Sequence, residues 1–332
     1  MTDDRTMFGT ICGGPISGFE RIKTRNWFCD CVLLTGKRNH NGILSDIRYV
    51  DAENLGGTNF FIHSTSEAVV ACNPNVWSPF VKDKPPLYFP SHVKCMVIAE
   101  EVIASHDSSE RGQRSLMRHL WQVLEARWKQ LDPLGRAPHK LHVSSGYYGA
   151  YKFQEMDWTP ENGKEGEAKL FESNPVEIPS LNRAVLSHLN PLLSANPSSN
   201  DDPDEPTIKG LSQAISSLPP EIIANITDQV TPLNNPSLTP NYILEPSYWH
   251  ASLFSGTLLP YLWDISETEI SEEDGTAVGF DKTADGWDWE LLAEQLAQTS
   301  IHERGKVFHI PLGLRNRRRI WRLVEDILGT EL

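Results

Sequence analysis

The sequence predicts an α+β protein: a mixed α/β N-terminal region, then a small helical module, then a helical C-terminal segment. Three observations carry that expectation. Short runs rich in β-branched and aromatic residues stand between positions 27 and 71, and a strong amphipathic helix pattern covers 115–131. Beyond a Pro/Ser/Asp-rich stretch, the periodic segments have helical spacing.

In chain order, a first strand is expected at Trp27-Phe28-Cys29-Asp30-Cys31-Val32-Leu33-Leu34 and a second at Asn59–His63, with a brief apolar patch at Ala68–Ala71 behind it. From His92 to Ala104, residues Cys95, Met96, Ala99, Val102 and Ile103 recur at helical spacing. The clearest helix runs from about Ser115 to Leu131. Leu116, Leu120, Leu124 and Trp128 form its i, i+4 ladder, Met117, Trp121 and Leu131 widen the stripe, and Pro133 ends it. Arg114, Arg118, Arg127 and Lys129 read as its solvated flank. Aromatics then cluster from Tyr147 to Phe153, and a polar loop spans Asp157–Glu167. A short helix is expected from Ser180, with Ser180 as its cap and Leu181, Ala184, Val185 and Leu189 on one side.

The stretch Asn190–Asp204, NPLLSANPSSNDDPD, has too little apolar surface to offset the entropy of ordering it, so it reads as a linker. The expected organisation is therefore 1–189 as the mixed region, 190–209 as the linker, 210–256 as the helical module, and 257–332 as a helical region packing on the rest. In the module, Pro219 and Pro220 suit a first helical turn, where a missing N–H costs nothing. Glu221 meets the positive end of the helix dipole, and Ile222, Ile223, Ile226 and Val230 follow as a narrow aliphatic stripe. Further on, Trp249 and Phe254 precede Leu258–Trp263, and an acidic loop covers Glu267–Asp274. A helix beginning near Asp285 turns Trp289, Leu292 and Leu296 inward. The last helix, from about Arg315, sets Ile320, Trp321, Val324, Ile327 and Leu328 on one face.

Composition excludes several classes. The chain has 332 residues, about two domains' worth, with 39% hydrophobic residues and 10 Trp, enough to bury a real core. Its formal net charge is −14, from 30 Lys+Arg against 44 Asp+Glu, which opposes non-specific phosphate binding, so no nucleic-acid partner is expected. No run approaches the roughly 20 apolar residues of a membrane-spanning helix. Met1–Thr10 lacks the basic start and apolar stretch of a secretory signal, so a cytoplasmic or nuclear location without membrane contact is expected. The odd set Cys12, Cys29, Cys31, Cys72 and Cys95 then reads as reduced thiols, and Asn225-Ile226-Thr227 lacks the context that glycosylation needs.

Sites that carry chemistry are sparse. A zinc site could draw on Cys29-x-Cys31, on His92 with Cys95, and on Cys12, His63 and Cys72; ordinary histidines and buried thiols are the plainer reading, so no metal ligand is assigned. A Cys31–His63 pair has no local signature of a nucleophile, and Gly210-Leu211-Ser212-Gln213-Ala214 only half-matches a nucleophile elbow. Phosphate-cradling glycine motifs are absent, and Asp201–Asp204 reads as a solubilising tract. No catalytic residue and no cofactor is expected. The cluster Arg315, Arg317, Arg318, Arg319 and Arg322 reads as the polar face of the terminal helix, with Arg322 paired to Glu325 or Asp326, or as a nuclear-import signal.

Read together, Leu218-Pro219-Pro220-Glu221-Ile222-Ile223 and Ser247-Tyr248-Trp249 resemble an F-box, the helical module that docks on the Skp-type adaptor of cullin-based ubiquitin ligases. Asn26–Gly36, His92–Cys95, Tyr147–Ala150, Asn174–Pro179, Asp288–Leu292 and Arg315–Trp321 resemble segments of the fungal F-box proteins that carry the module mid-chain. The resemblance implies a non-enzymatic substrate adaptor of a cullin-type (SCF) ligase. It would bind a Skp-type subunit, and through it a cullin complex, with Leu218, Pro219, Pro220, Ile222, Ile223, Ile226, Val230 and Trp249, while the flanking region holds an unknown protein substrate. Two departures stand out. Four prolines interrupt Val230–Trp249, where the family has a second helix, and Gly9 and Cys12 stand where the group often has a Cys-x-x-Cys. The alternatives are a degenerate F-box scaffold without a ligase partner, and an accessory enzyme with a pocket at the Tyr147–Phe153 aromatics and His63 or His92.

Overall fold

The computed structural model describes residues 9–14, 16, 27, 30–38, 44–56, 59–62, 67–70, 88–131, 170–192, 210–211, 214–215, 217–219, 222–223, 225–226, 240–266, 286–298 and 310–331. They combine helices with a small antiparallel sheet, an α+β arrangement. The chain forms two compact units, one made of 1–178 with 312–332 and the other of 179–311. Among the described residues, no helix is long and apolar enough to cross a membrane.

The first unit is built on five antiparallel strands in the order β4-β3-β2-β1-β5: β1 (Cys31–Arg38), β2 (Leu44–Gly56), β3 (Asn59–Ile62), β4 (Glu67–Val70) and β5 (Tyr88–His92). Cys31, Val32, Leu33 and Leu34 are buried in succession, the pattern of a strand covered on both faces. β5 lies at the edge and has Pro90 opposite Leu33, a place where a residue without an N–H is tolerated. Helix α1 (Val93–His106) follows β5 directly, then α2 (Glu110–Leu131). Trp121 of α2 meets Phe89 edge to face at 5.7 Å, and Leu120, Val123 and Leu124 are buried beside it.

The terminal helix, numbered α6 (Leu312–Leu328), belongs to this unit and packs on α1 and α2. Ile320, Trp321, Val324 and Ile327 are buried, as the periodicity predicts. The arginine cluster departs from the expected polar face. Arg317 is fully buried, donating from Nε to the carbonyl of Pro175 at 2.6 Å and from Nη2 to that of Val176 at 2.8 Å, and Arg318 is also buried. Those loop carbonyls need donors inside the protein, and a guanidinium supplies several in a fixed fork. Asp326 pairs with Arg127 at 3.1 Å and Glu325 accepts from the Trp321 indole, so neither is engaged as the simple i+3 or i+4 rule predicts for Arg322.

The second unit holds α3 (Leu181–Leu186), α4 (Pro246–Phe254), a 3-10 turn at Pro260–Leu262 and α5 (Trp289–Ala297). Trp249 and Leu253 of α4 are buried, and His250 and Phe254 close on Trp289 of α5 at 4.6 and 5.8 Å. Tyr261 donates its hydroxyl to the Leu296 carbonyl at 2.9 Å. Ser180 precedes α3 but does not cap it: its φ is 55° and its side chain makes no cap bond. The expected linker at 190–209 is not where the units divide. Its first residues are paired inside the second unit, with Pro191 bridged to Trp287 and the Leu192 N–H donating to Gly286. Composition marks where chain is costly to order, whereas the division also follows the return of α6 to the first unit.

Gly313 sits where α6 meets the loop before α3: a Cβ there would fall 2.4 Å from the carbonyl oxygen of Asn174. Gly313→Ala is therefore expected to lower the thermal unfolding midpoint, by an amount equivalent to about 1–3 kcal/mol. The opposing gain in helix propensity is only about 0.5–1 kcal/mol. A midpoint equal to or above that of the parent, followed by circular dichroism, would contradict this packing.

Candidate functional site

Three groups of residues invite a functional reading. The first is the thiol–imidazole cluster of Cys12, His92 and Cys95, whose ligand atoms all lie within 4.8 Å of one another. His92 ends β5 and precedes the first turn of α1, so Cys95, three residues on, projects to the same side. Cys12 arrives on a tight N-terminal turn. The Gly9 N–H donates to the Gly14 carbonyl at 2.7 Å, Gly13 takes a φ of 68° that glycine adopts without strain, and the Thr10 N–H docks the turn on the Pro90 carbonyl at 2.8 Å.

Cys12 Sγ stands 3.2 Å from His92 Nδ1 and Cys95 Sγ 3.7 Å from the same nitrogen. The Gly14 N–H points at Cys12 Sγ from 3.3 Å. Arg319 donates to the Cys12 carbonyl at 2.9 Å while its guanidinium lies 4.3 Å from the Phe171 ring centre. Trp27 tilts over His92 at 5.2 Å and anchors its indole N–H on the Phe171 carbonyl at 3.0 Å. Burial pushes the Cys12 thiol up, but the hydrogen bond from Cys95, the charge and hydrogen bond of His92, and the charge of Arg319 outweigh it, so Cys12 is held well below its usual range. Burial and the neighbouring Cys12 push Cys95 well above it.

Of the residues weighed from sequence as ligands, the fold brings Cys12, His92 and Cys95 together. Cys31 stands directly opposite His92 across the β1–β5 pairing but outside the cluster. Cys29, His63 and Cys72 lie outside the described residues, as do the Tyr147–Phe153 aromatics of the accessory-enzyme reading.

The second group is the segment behind the double proline. The Ile222 and Ile223 N–H groups both reach the Pro219 carbonyl, at 3.0 and 3.1 Å, so a helical turn begins there as the sequence predicts. Leu218 is 38% exposed and Ile222 45%, Pro219 is exposed, and Ile223 and Ile226 are half-buried. Trp249, named for the same surface, is 1% exposed and presents no side chain outward. Pro220 and Val230 lie outside the described residues.

The third group escaped sequence reasoning. Asp288, Glu290 and Glu294 are all buried at the start of α5. Asp288 caps the helix by accepting from the Leu291 N–H at 3.0 Å and also accepts the Tyr242 hydroxyl at 2.9 Å. Glu290 accepts the Asn241 and Tyr242 N–H groups at 2.9 and 3.1 Å, which holds Tyr242 at a φ of 52°. Burial, then Asp288, pushes the Tyr242 hydroxyl up to about 12. Burial, then the charges of Glu290 and Asp288, pushes Glu294 up to about 7. The signal was present as Asp288-x-Glu290-x-x-x-Glu294, whose last two members share a helix face.

No protein-family model, curated protein or solved structure matches this chain.

Glu294 makes stability depend on pH with a definite sign. The folded protein keeps its proton to about pH 7, whereas the unfolded chain gives it up near 4.5, so stability falls as pH rises through that window. Glu294→Gln removes this slope. The variant should gain on the parent by on the order of 1–3 kcal/mol between pH 4.5 and 8 in thermal unfolding. Parallel curves for the two proteins would refute the buried-acid assignment.

Proposed function

We propose that this chain is an F-box-like substrate adaptor of a cullin-type ubiquitin ligase, docking a Skp-type subunit through 218–249 and acting in the cytoplasm or nucleus without catalysing ubiquitin transfer itself. The observation that supports the reading is the exposure of Leu218 and Ile222 on the turn behind Pro219. Large aliphatic side chains that stay half in water beside a short helical turn fit the helix-in-groove mode of recognition. Fully burying one such side chain is worth roughly 1.5–3 kcal/mol, of which association and ordering costs cancel a part. The flanking α+β unit would then carry the protein to be modified.

A second reading, a scaffold that keeps the segment without a ligase partner, gains support from the burial of Trp249, which withdraws one residue of the surface that the family resemblance implies. Recovery of the full chain with a purified Skp-type subunit separates the two. Ile222→Asp alters an exposed side chain and so leaves folding intact; it should weaken recovery by roughly tenfold or more. Equal recovery of partner by parent and variant ends the adaptor reading, and no recovery by either favours the scaffold.

A further inference from the structure

We propose that Cys12, His92 and Cys95 bind a zinc ion, with two sulfurs and the imidazole Nδ1 as protein ligands and a water at the fourth corner. The spacing is what carries this. With Zn–S near 2.3 Å and Zn–N near 2.0 Å at tetrahedral angles, a ligating sulfur and nitrogen stand about 3.5 Å apart. Here the two sulfurs stand 3.2 and 3.7 Å from the same nitrogen. Both sulfurs therefore converge on Nδ1, the arrangement in which one cation can touch all three.

The surroundings suit a metal better than the other uses of such a cluster. Cys12, His92 and Cys95 are 1%, 0% and 0% exposed, a burial that suits a structural ligand better than a sulfur that must attack a substrate. A Cys12–Cys95 disulfide would need neither the imidazole beside both sulfurs nor the backbone N–H of Gly14 aimed at Cys12 Sγ. That N–H favours a charged sulfur, as a metal ligand must be. Two sulfurs and an imidazole select zinc over the hard, oxygen-seeking cations. On binding, two S–Zn bonds and one N–Zn bond form, the protons carried by the two sulfurs and by Nδ1 leave to solvent, and nothing is oxidised or reduced. Two thiolates then neutralise the ion, which lowers the cost of holding it in the interior.

A Cβ at position 9 would fall 2.7 Å from His92 Cε1 and 2.8 Å from Nδ1, and the residue is glycine, so position 9 brings a close backbone but no ligand side chain to the imidazole. Among the described residues no fourth ligand joins the set. The ion would clamp the Gly9–Gly14 turn to the β5–α1 junction, 80 residues away in sequence, while Arg319 holds the Cys12 carbonyl from outside. This inference stands independently of the adaptor reading, because it concerns the other unit and a different readout.

The test uses the full chain, purified under reducing conditions, stripped with a chelator and titrated with Co2+ alone. One Co2+ per chain should appear with a thiolate-to-cobalt charge-transfer band and the visible bands of a tetrahedral ion, and Zn2+ should abolish both. Cys12→Ser and Cys95→Ser should each weaken binding by at least about 100-fold, the upper end of what loss of a mere supporting partner costs. Cys31→Ser, outside the cluster, should leave the titration unchanged. Because the serine variants could unfold, the parent's thermal midpoint is followed as well, and it should rise with Zn2+ and fall back with chelator. A parent chain without the charge-transfer band, bands that persist in both serine variants, or a midpoint indifferent to zinc would each overturn the site.

Discussion

A buried guanidinium has no neutral form to retreat to, so the position of Arg317 constrains everything packed around it. It enters the interior on α6 and meets the carbonyls of Pro175 and Val176, fastening the C-terminal helix to a loop some 140 residues earlier. Two residues along, Arg319 reaches the Cys12 carbonyl, so the same helix also fixes the N-terminal turn. Gly313 completes the seam, because a side chain there would collide with the Asn174 carbonyl. Three segments far apart in sequence are thus held by donors and backbone contacts from a single helix. Cys12 of that N-terminal turn belongs to the thiol–imidazole cluster.

The two units carry different kinds of chemistry. In the first, the polar groups that matter are sealed, and their value lies in convergence: sulfur and nitrogen atoms brought within bonding reach of one centre. In the second, the contrast runs the other way. Asp288, Glu290 and Glu294 are buried and organise the entry to α5, while the aliphatic turn behind Pro219 stays at the surface. Exposed Leu218 and Ile222 cost the isolated chain little and leave apolar area that a partner can remove from water.

Much of the fold was legible in the residues themselves. Buried Leu120, Trp121 and Leu124 of α2, buried Ile320, Trp321, Val324 and Ile327 of α6, the inward Trp289, Leu292 and Leu296, and the strand around Val32–Leu34 follow from periodicity, while the side chains of Trp128 and Leu131 lie outside the described residues. β2 and β5 did not announce themselves. β2 carries Asp46, Arg48, Asp51 and Glu53 without strict alternation, and β5 contains Pro90, so each finds its place through its neighbours. Ser180 looked like a cap and is instead a left-handed residue ahead of its helix. The candidate site divides in the same way. His92 and Cys95 form a visible pair because three residues span one helical turn, yet Cys12 lies 80 residues upstream and nothing local marks it as their partner.

The sequence by itself determined which residues prefer helix or strand, the absence of a long apolar span, and a proline-led aliphatic turn, because those properties depend on near neighbours and on side-chain type. Only the tertiary structure decided that Arg317 and Arg318 of α6 are buried, that three scattered ligand-type residues lie within 4.8 Å of one another, and that Leu218 and Ile222 remain in contact with water while Trp249 does not. The physical reason is common to all three. Burial and convergence are set by which distant segments pack together, and a one-dimensional pattern contains the hydrophobic face of each element but not the identity of what will cover it.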